Sequence, residues 1–196
     1  MITGQIYVIS DLHFNQRIMI PFGKRPFKNI KEMNIKMIDN WNKTVKKDDI
    51  VIIAGDLGSG SYLFFNWLLN KLNGKKILIK GNHDIIFRLR KLKKTNSIKI
   101  YKKIKIDIEG IDILFTHRPQ KKEKGLFSLN IHGHYHKKLL PKKFLKDYYY
   151  NVAVEHNMYK PVSLTEILYN KGICIQDINL NEIMNQILYK NNSALA

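Results

Sequence analysis

Cysteine is nearly missing from this chain: Cys174 is the one thiol among 196 residues. That excludes an internal disulfide framework and a cysteine-rich zinc module. Long apolar runs are missing too; none approaches the ~20 residues that a membrane-spanning helix needs. Met1 to Ser10 has neither a basic lead nor a long apolar stretch, which predicts no secretory signal. No internal repeat, low-complexity tract or Pro/Gly/Ser-rich linker divides the sequence, so a single soluble, cytoplasmic domain over residues 1–196 is expected, with no membrane partner. Acidic residues are scarce: 16 Asp plus Glu stand against 34 Lys plus Arg, a formal charge of +18. Arginine occurs only at positions 17, 25, 88, 90 and 118, so the excess is nearly all lysine. Abundant Lys, Ile and Asn is what AT-rich codons supply; the functional alternative is a basic surface that attracts nucleic acid or another polyanion.

Hydrophobic residues make up 44% and charged residues 26% of the chain, ordinary values for a globular protein. Gln5 to Ser10, Asp49 to Ala54 and Lys76 to Lys80 are short apolar runs that predict buried strands. Between them, Ile30, Met33, Met37, Ile38, Trp41 and Val45 recur at helical spacing. Ser61 to Leu72 predicts a second helix, stopped by Asn73-Gly74. The Phe64, Phe65, Trp67 and Trp41 rings on these helices are expected in the core. Alternating strand and helix implies βαβ units and a parallel sheet. Ile100 to Ile108, the turn Glu109-Gly110 and Ile111 to Thr116 predict a hairpin. Leu129 to Ile131 and Tyr148 to Val154 predict further strands, Ser163 with Glu166 a helix-opening capping box, and Leu180 to Lys190 a last helix. The sum is an α/β chain with two sheets, or one large one, covered by helices.

The polar residues fall at the strand ends. Asp11-Leu12-His13, Gly55-Asp56, Gly81-Asn82-His83-Asp84, His117 and His132-Gly133-His134-Tyr135-His136 each follow an apolar run. Open α/β sheets place their sites at the carboxyl ends of strands, so these groups predict one site. Carboxylate, imidazole and amide ligands suit Mn, Fe, Ni, Zn or Mg. Seven candidate ligands are too many for one four-coordinate zinc ion. They match two ions sharing a carboxylate, which ~3.5–4 Å apart can activate a bridging hydroxide and neutralise a phosphoryl group.

The ordered set D-x-H, G-D, G-N-H-D, H and G-H-x-H, from Asp11 to His136, resembles the calcineurin-like metallophosphoesterases. Arg25-Pro26-Phe27, Trp41-Asn42, Asn151 to Glu155 and Lys160 to Ser163 are similar to small prokaryotic and phage members of that superfamily. The resemblance implies a metallo-dependent phosphatase-like sandwich, two mixed β-sheets flanked by helices. It implies that Asp11, His13 and His136 hold a first divalent ion, that Asn82, His117 and His134 hold a second, and that Asp56 bridges them, with manganese the first choice of metal. It implies that a metal-bridging hydroxide attacks phosphorus, that His83 protonates the leaving oxygen, and that Asp84 orients His83. The implied activity is a phosphodiesterase on a small phosphoester or nucleotide, with a phosphomonoesterase as the alternative. A non-catalytic scaffold or nucleic-acid-binding module with this fold is the rival of another class, and the intact ligand set argues against it.

Substrate contacts are less specified. Arg25 and Arg118 are candidates for phosphate contacts, the alternative being ordinary ion pairs. Phe14 to Asn29 is expected to form the substrate rim. Asn15-Gln16 stands where several small family members carry Gly-His, so a substrate role for that His is not carried over. His132 shares the parity of His134 and His136, but the family pattern gives it no ligand role, and packing beside the site is expected. His156 is expected at the rim. The lysine runs Lys121-Lys122 with Lys124, and Lys137-Lys138 with Lys142-Lys143, flank the motifs as solvated loops or as polyanion contacts.

Overall fold

Strands covered on both faces need apolar residues at every position, and β2, Ile50–Ile53, is buried throughout. Its alternate residues serve different layers: Ile50 and Ile52 join a core between two sheets, while Val51 and Ile53 join a core beneath helices. The same division separates Val8 from Ile9 in β1 (Ile6–Ile9), and Ile77 and Ile79 from Leu78 in β3 (Lys75–Ile79). The computed structural model describes residues 4–85, 91–92, 98–137, 141–144, 146–176 and 178–190. Lys138, in one of the lysine runs, lies outside them.

The first sheet has the order β4-β3-β2-β1-β9, with β4 at Lys99–Tyr101 and β9 at Val162–Ser163. Its first four strands run parallel and β9 is antiparallel to β1. The second sheet has the order β5-β6-β7-β8, over Ile104–Ile108, Ile111–Thr116, Leu129–His132 and Tyr149–Asn151. There β5 and β6 are antiparallel, while β6, β7 and β8 run parallel. Ile104, Ile106, Ile113, Phe115, Leu129 and Ile131 face the first sheet and close the inner core. The result is the expected α/β sandwich of two mixed sheets flanked by helices.

Among the described residues, short helices accompany the two long ones. α1 is Met19–Phe22, α4 Leu164–Asn170 and α5 Leu180–Asn185, the last continuing as a π-turn through Lys190. α2, Ile30–Thr44, starts at Asn29, whose side chain accepts from Glu32 N–H. Its fully buried Met33, Met37 and Trp41 each contribute roughly 1.5–3 kcal/mol through burial. α3, Tyr62–Lys71, is capped by Ser61 and buries Phe65, Leu68 and Leu69. Trp67 departs from expectation: it is 49% exposed, because it sits on the α3 face turned away from the sheet. No helix among the described residues is long and apolar enough to cross a membrane.

Two predicted strands are divided. The run from Ile100 to Ile108 breaks at Lys102-Lys103: β4 finishes the first sheet and β5 starts the second. Isoleucine holds the even positions on both sides, and Lys102, the one even position without it, marks the break. The Tyr148 to Val154 run also ends early. After β8, Val152 O accepts from Ser10 N–H (3.0 Å) and Val154 N–H donates to Ser10 O (3.1 Å). The chain then turns through a 3₁₀ segment, Val154–His156, which sets Glu155 against the end of β1.

Candidate metal centre

Five parallel strand ends deliver the candidate residues to one place. β1 leads into Asp11 and His13, β2 into Asp56, β3 into Asn82 and His83, β6 into His117, and β7 into His134 and His136. Four of these residues have left-handed backbones: Asp11 (φ 57°), His13 (φ 49°), Asp56 (φ 56°) and His134 (φ 71°). That conformation costs a non-glycine residue roughly 1–2 kcal/mol. It persists where surrounding bonds over-determine it. Here the turns after β1 and β2 are laced together by Asp11 N–H to Gly55 O, His13 N–H to Asp56 O and Phe14 N–H to Leu57 O, each 3.0 Å.

The side chains form two overlapping clusters able to hold a cation, one of Asp11, His13 and His136, the other of Asp11, Asp56 and His117. Asp11 Oδ1 lies 3.6 Å from His136 Nε2 and 4.0 Å from His13 Nε2. Asp56 Oδ2 lies between the halves, 3.6 Å from His13 Nε2 and 3.3 Å from His117 Nε2. Asn82 Oδ1 is 2.8 Å from His117 Nε2, and the His134 ring centroid is 5.1 Å from that of His117. Asp11, His13, Asp56, His117 and His136 are buried, whereas Asn82 and His83 are exposed, so the centre opens on their side.

The electrostatics call for positive charge. Asp11 Oδ1 and His13 Nε2 are buried and lack hydrogen-bond partners. Burial pushes the Asp11 carboxyl up, and it pushes the His13 imidazole down to about 4. Burial and the neighbouring His117 hold His134 down to about 4, leaving its ring neutral as a metal ligand requires. Burial opposes the Asp56 charge, yet hydrogen bonding and attraction from His117 outweigh it and hold the carboxyl down at about 2. Two carboxylates, the neutral imidazoles of His13 and His134, and the orphaned atoms Asp11 Oδ1 and His13 Nε2 fit divalent cations.

The match to known proteins agrees with this geometry. Residues 4–178 fit the family model for calcineurin-like phosphoesterases. The chain belongs to that family. It is 37% identical over 192 residues to an uncharacterized protein of Methanocaldococcus jannaschii, covering 91% of this chain and 99% of that one. The Gene 66 protein of Mycobacterium phage L5 is 33% identical over 79 residues, 38% of this chain and 37% of the phage protein. A solved structure from Aquifex aeolicus, a protein of unknown function, superposes with a TM-score of 0.65 at 28% identity, over 86% of this chain and all of that one.

In this calcineurin-like phosphoesterase, a second layer of groups aims the histidines. His13 Nδ1 meets Gln16 Oε1 at 2.5 Å, His117 Nδ1 meets Ala54 O at 2.9 Å, and His136 Nδ1 meets Glu155 Oε1 at 3.0 Å. Each contact leaves Nε2 pointing into the centre. Asp11 Oδ2 accepts from His134 N–H at 2.8 Å and lies 2.6 Å from Ser10 Oγ. Gln16, to which no substrate role was carried over, therefore braces the ring of the candidate ligand His13. Sequence reasoning missed Ser10 and Glu155 in these roles; the one available signal was the resemblance at Asn151 to Glu155. Gly81 and Gly133 make the convergence possible, since a Cβ at either would overlap the Asp56 or Asp11 carboxylate.

The calcineurin-like framework gives two expected residues other work. Arg25 is not a phosphate contact: its side chain is fully buried beneath the centre, donating to Leu12 O (2.8 Å), Asp11 O (2.7 Å) and Glu155 Oε1 (2.9 Å). The guanidinium is committed to backbone carbonyls and one carboxylate, so nothing remains to reach substrate. Asp84 is not placed to orient His83: its carboxylate accepts from the N–H groups of Asp56 (2.9 Å), Leu57 (3.0 Å) and Gly81 (2.8 Å). It pins the β2 and β3 turns together, while His83 is held through its own N–H to Asp56 Oδ1 (2.8 Å). The His83 ring stands edge-on to His13 with centroids 5.3 Å apart, and Arg118 is exposed beside His117. His132 is fully buried, its ring against Tyr149 and its Nδ1 2.9 Å from Gly133 O. His156 is exposed, with Nε2 2.6 Å from His136 O. Within Phe14 to Asn29, α1 brings Phe22 edge-on to His136, centroids 6.0 Å apart.

Proposed function

We propose that this phosphoesterase is a two-metal phosphodiesterase. The observation that carries the reading is the place of Asp56 Oδ2, 3.6 Å from His13 Nε2 and 3.3 Å from His117 Nε2, between the two ligand groups. Asp11, His13 and His136 would hold one divalent ion and Asn82, His117 and His134 the other, with Asp56 shared. When bound, the two ions supply Lewis acidity and offset the charge of the phosphoryl oxygens. The buried carboxylates and the Nδ1 contacts fix the ligand atoms before substrate arrives. His83, exposed at the open side and tethered by its backbone, donates a proton to the departing oxygen, which leaves poorly as an alkoxide. Hydrolysis adds water across the P–O bond, giving a phosphomonoester and an alcohol.

Phosphomonoesterase activity is the second reading. Arg118, exposed beside His117, is the observation that favours it, because a dianionic phosphomonoester needs one more cation than a diester.

The test uses chelator-stripped protein, bis-p-nitrophenyl phosphate and p-nitrophenyl phosphate, and added Mn²⁺, Ni²⁺ or Mg²⁺. Metal-dependent cleavage, faster on the diester and weakened by His83→Ala, is the expected result. Faster cleavage of the monoester selects the second reading. Absence of bound metal overturns both.

A further inference from the structure

A groove of about 450 Å³ opens directly from the candidate centre, sharing Asn82 and His117 as part of its wall. Three chain segments line the rest. Lys80 follows β3, Lys102 and Lys103 form the crossing from β4 to β5, and Arg118 follows His117 at the end of β6. Among the described residues, the lining holds these four cations and not one carboxylate. Lys102, Lys103 and Arg118 are exposed and make no ion pair among the described residues, whereas Lys105 nearby pairs with Asp112 at 3.0 Å. Four like charges along one wall repel one another, a cost that an anion in the groove removes.

We infer that this groove is a subsite for a second phosphate, so that the substrate carries at least one further phosphate next to the scissile one. The inference rests on the phosphoesterase reading of the adjoining centre. The shared chemistry is a run of phosphates, as in an oligonucleotide strand or a nucleoside polyphosphate. The scissile group sits at the Asn82 and His117 end, and the neighbouring phosphate lies along Lys102, Lys103 and Arg118.

Binding to the metal-free protein tests the groove without turnover. Fluorescein-labelled oligothymidylate of about five nucleotides is titrated in chelator at several salt concentrations, with the wild type, Lys102→Gln/Lys103→Gln, and Lys31→Gln/Lys36→Gln. The last pair removes the same charge from exposed positions on α2. The slope of log affinity against log salt should fall by about 1.4 in the groove variant, two phosphate contacts on a single strand, and stay unchanged in the α2 variant. Equal slopes in the two variants, or no binding by the wild type, overturn the proposal. Unlabelled oligothymidylate and thymidine triphosphate then compete: displacement by both at equal charge assigns the groove to polyphosphates generally, and displacement by the oligonucleotide alone assigns it to a strand. Salt-sensitive binding through the groove without metal-dependent cleavage of any ester would keep the groove as a phosphate-binding site but overturn the catalytic reading and, with it, the place of a scissile phosphate beside the groove.

Discussion

One carboxylate oxygen of Glu155 serves both His136 and Arg25: Oε1 lies 3.0 Å from His136 Nδ1 and 2.8 Å from the Arg25 guanidinium. The arginine in turn holds the Asp11 and Leu12 carbonyls. A buried ion pair thus fixes the backbone of one candidate ligand and the ring of another. Removing one partner leaves the other charge buried and uncompensated.

Glu155→Gln keeps the shape and removes the charge. It should weaken divalent-ion binding about 10–100-fold, the usual effect of losing such a supporting contact. Calorimetric titration of stripped protein with Mn²⁺ measures this directly. Unchanged affinity would show that His136 needs no such support.

Gly133→Ala forces a methyl group into space held by Ser10 and the Asp11 carboxylate. Overpacking of this kind costs roughly 1–3 kcal/mol. Denaturant unfolding of metal-free protein should show that loss, and bound metal per chain should fall with it. A variant of wild-type stability would contradict the packing described at β1 and β7.

Asp84→Asn replaces an acceptor of three backbone N–H bonds with a group that is half donor. It should lower stability by roughly 1–3 kcal/mol. His83→Ala should leave stability unchanged and slow alkyl esters by about 10²–10⁴, with p-nitrophenyl esters, whose leaving group needs little protonation, affected less. Comparing unfolding curves and two leaving groups separates the roles. A leaving-group dependence in the Asp84 variant equal to that of His83→Ala would return Asp84 to orienting His83.

Adding Mn²⁺ to stripped protein should raise the unfolding midpoint, because the ion binds the folded centre and relieves buried Asp11 and Asp56. At a hundredfold excess over the dissociation constant, one site contributes about 2.7 kcal/mol. A scan with and without chelator checks it, and identical midpoints would count against a buried metal centre.

Much of the architecture was legible because the strands that carry it are short, apolar and followed at once by polar residues. Asp11 and Asp56 stand where parallel β1 and β2 end, and His117 and His134 where parallel β6 and β7 end, so each pair converges within its own sheet and the docking of the sheets joins the pairs. What was not legible depends on distant partners. Nothing local distinguishes Arg25 from a surface arginine; its burial comes from Glu155, 130 positions away. Asp84 sits beside His83 in sequence, yet its carboxylate points back to Asp56 and Leu57. The sheet change at Lys102-Lys103 is marked only by one lysine at an even position, and the isoleucines resume in the same phase, so the run reads as one strand. Trp67 has helical spacing but lies on the wrong side of α3.

Val152, Val154 and Ser10 stitch the end of the second sheet to the end of the first. The residues that complete the centre are therefore far apart in order of synthesis. Asp11, His13, Asp56 and Asn82 follow the consecutive parallel strands β1, β2 and β3, while His136 and its support Glu155 come more than fifty residues later. Long-range closures of this kind form late in folding. The full set of candidate ligands therefore exists only once both sheets have docked, and any divalent ion that needs all of them would bind the docked state alone.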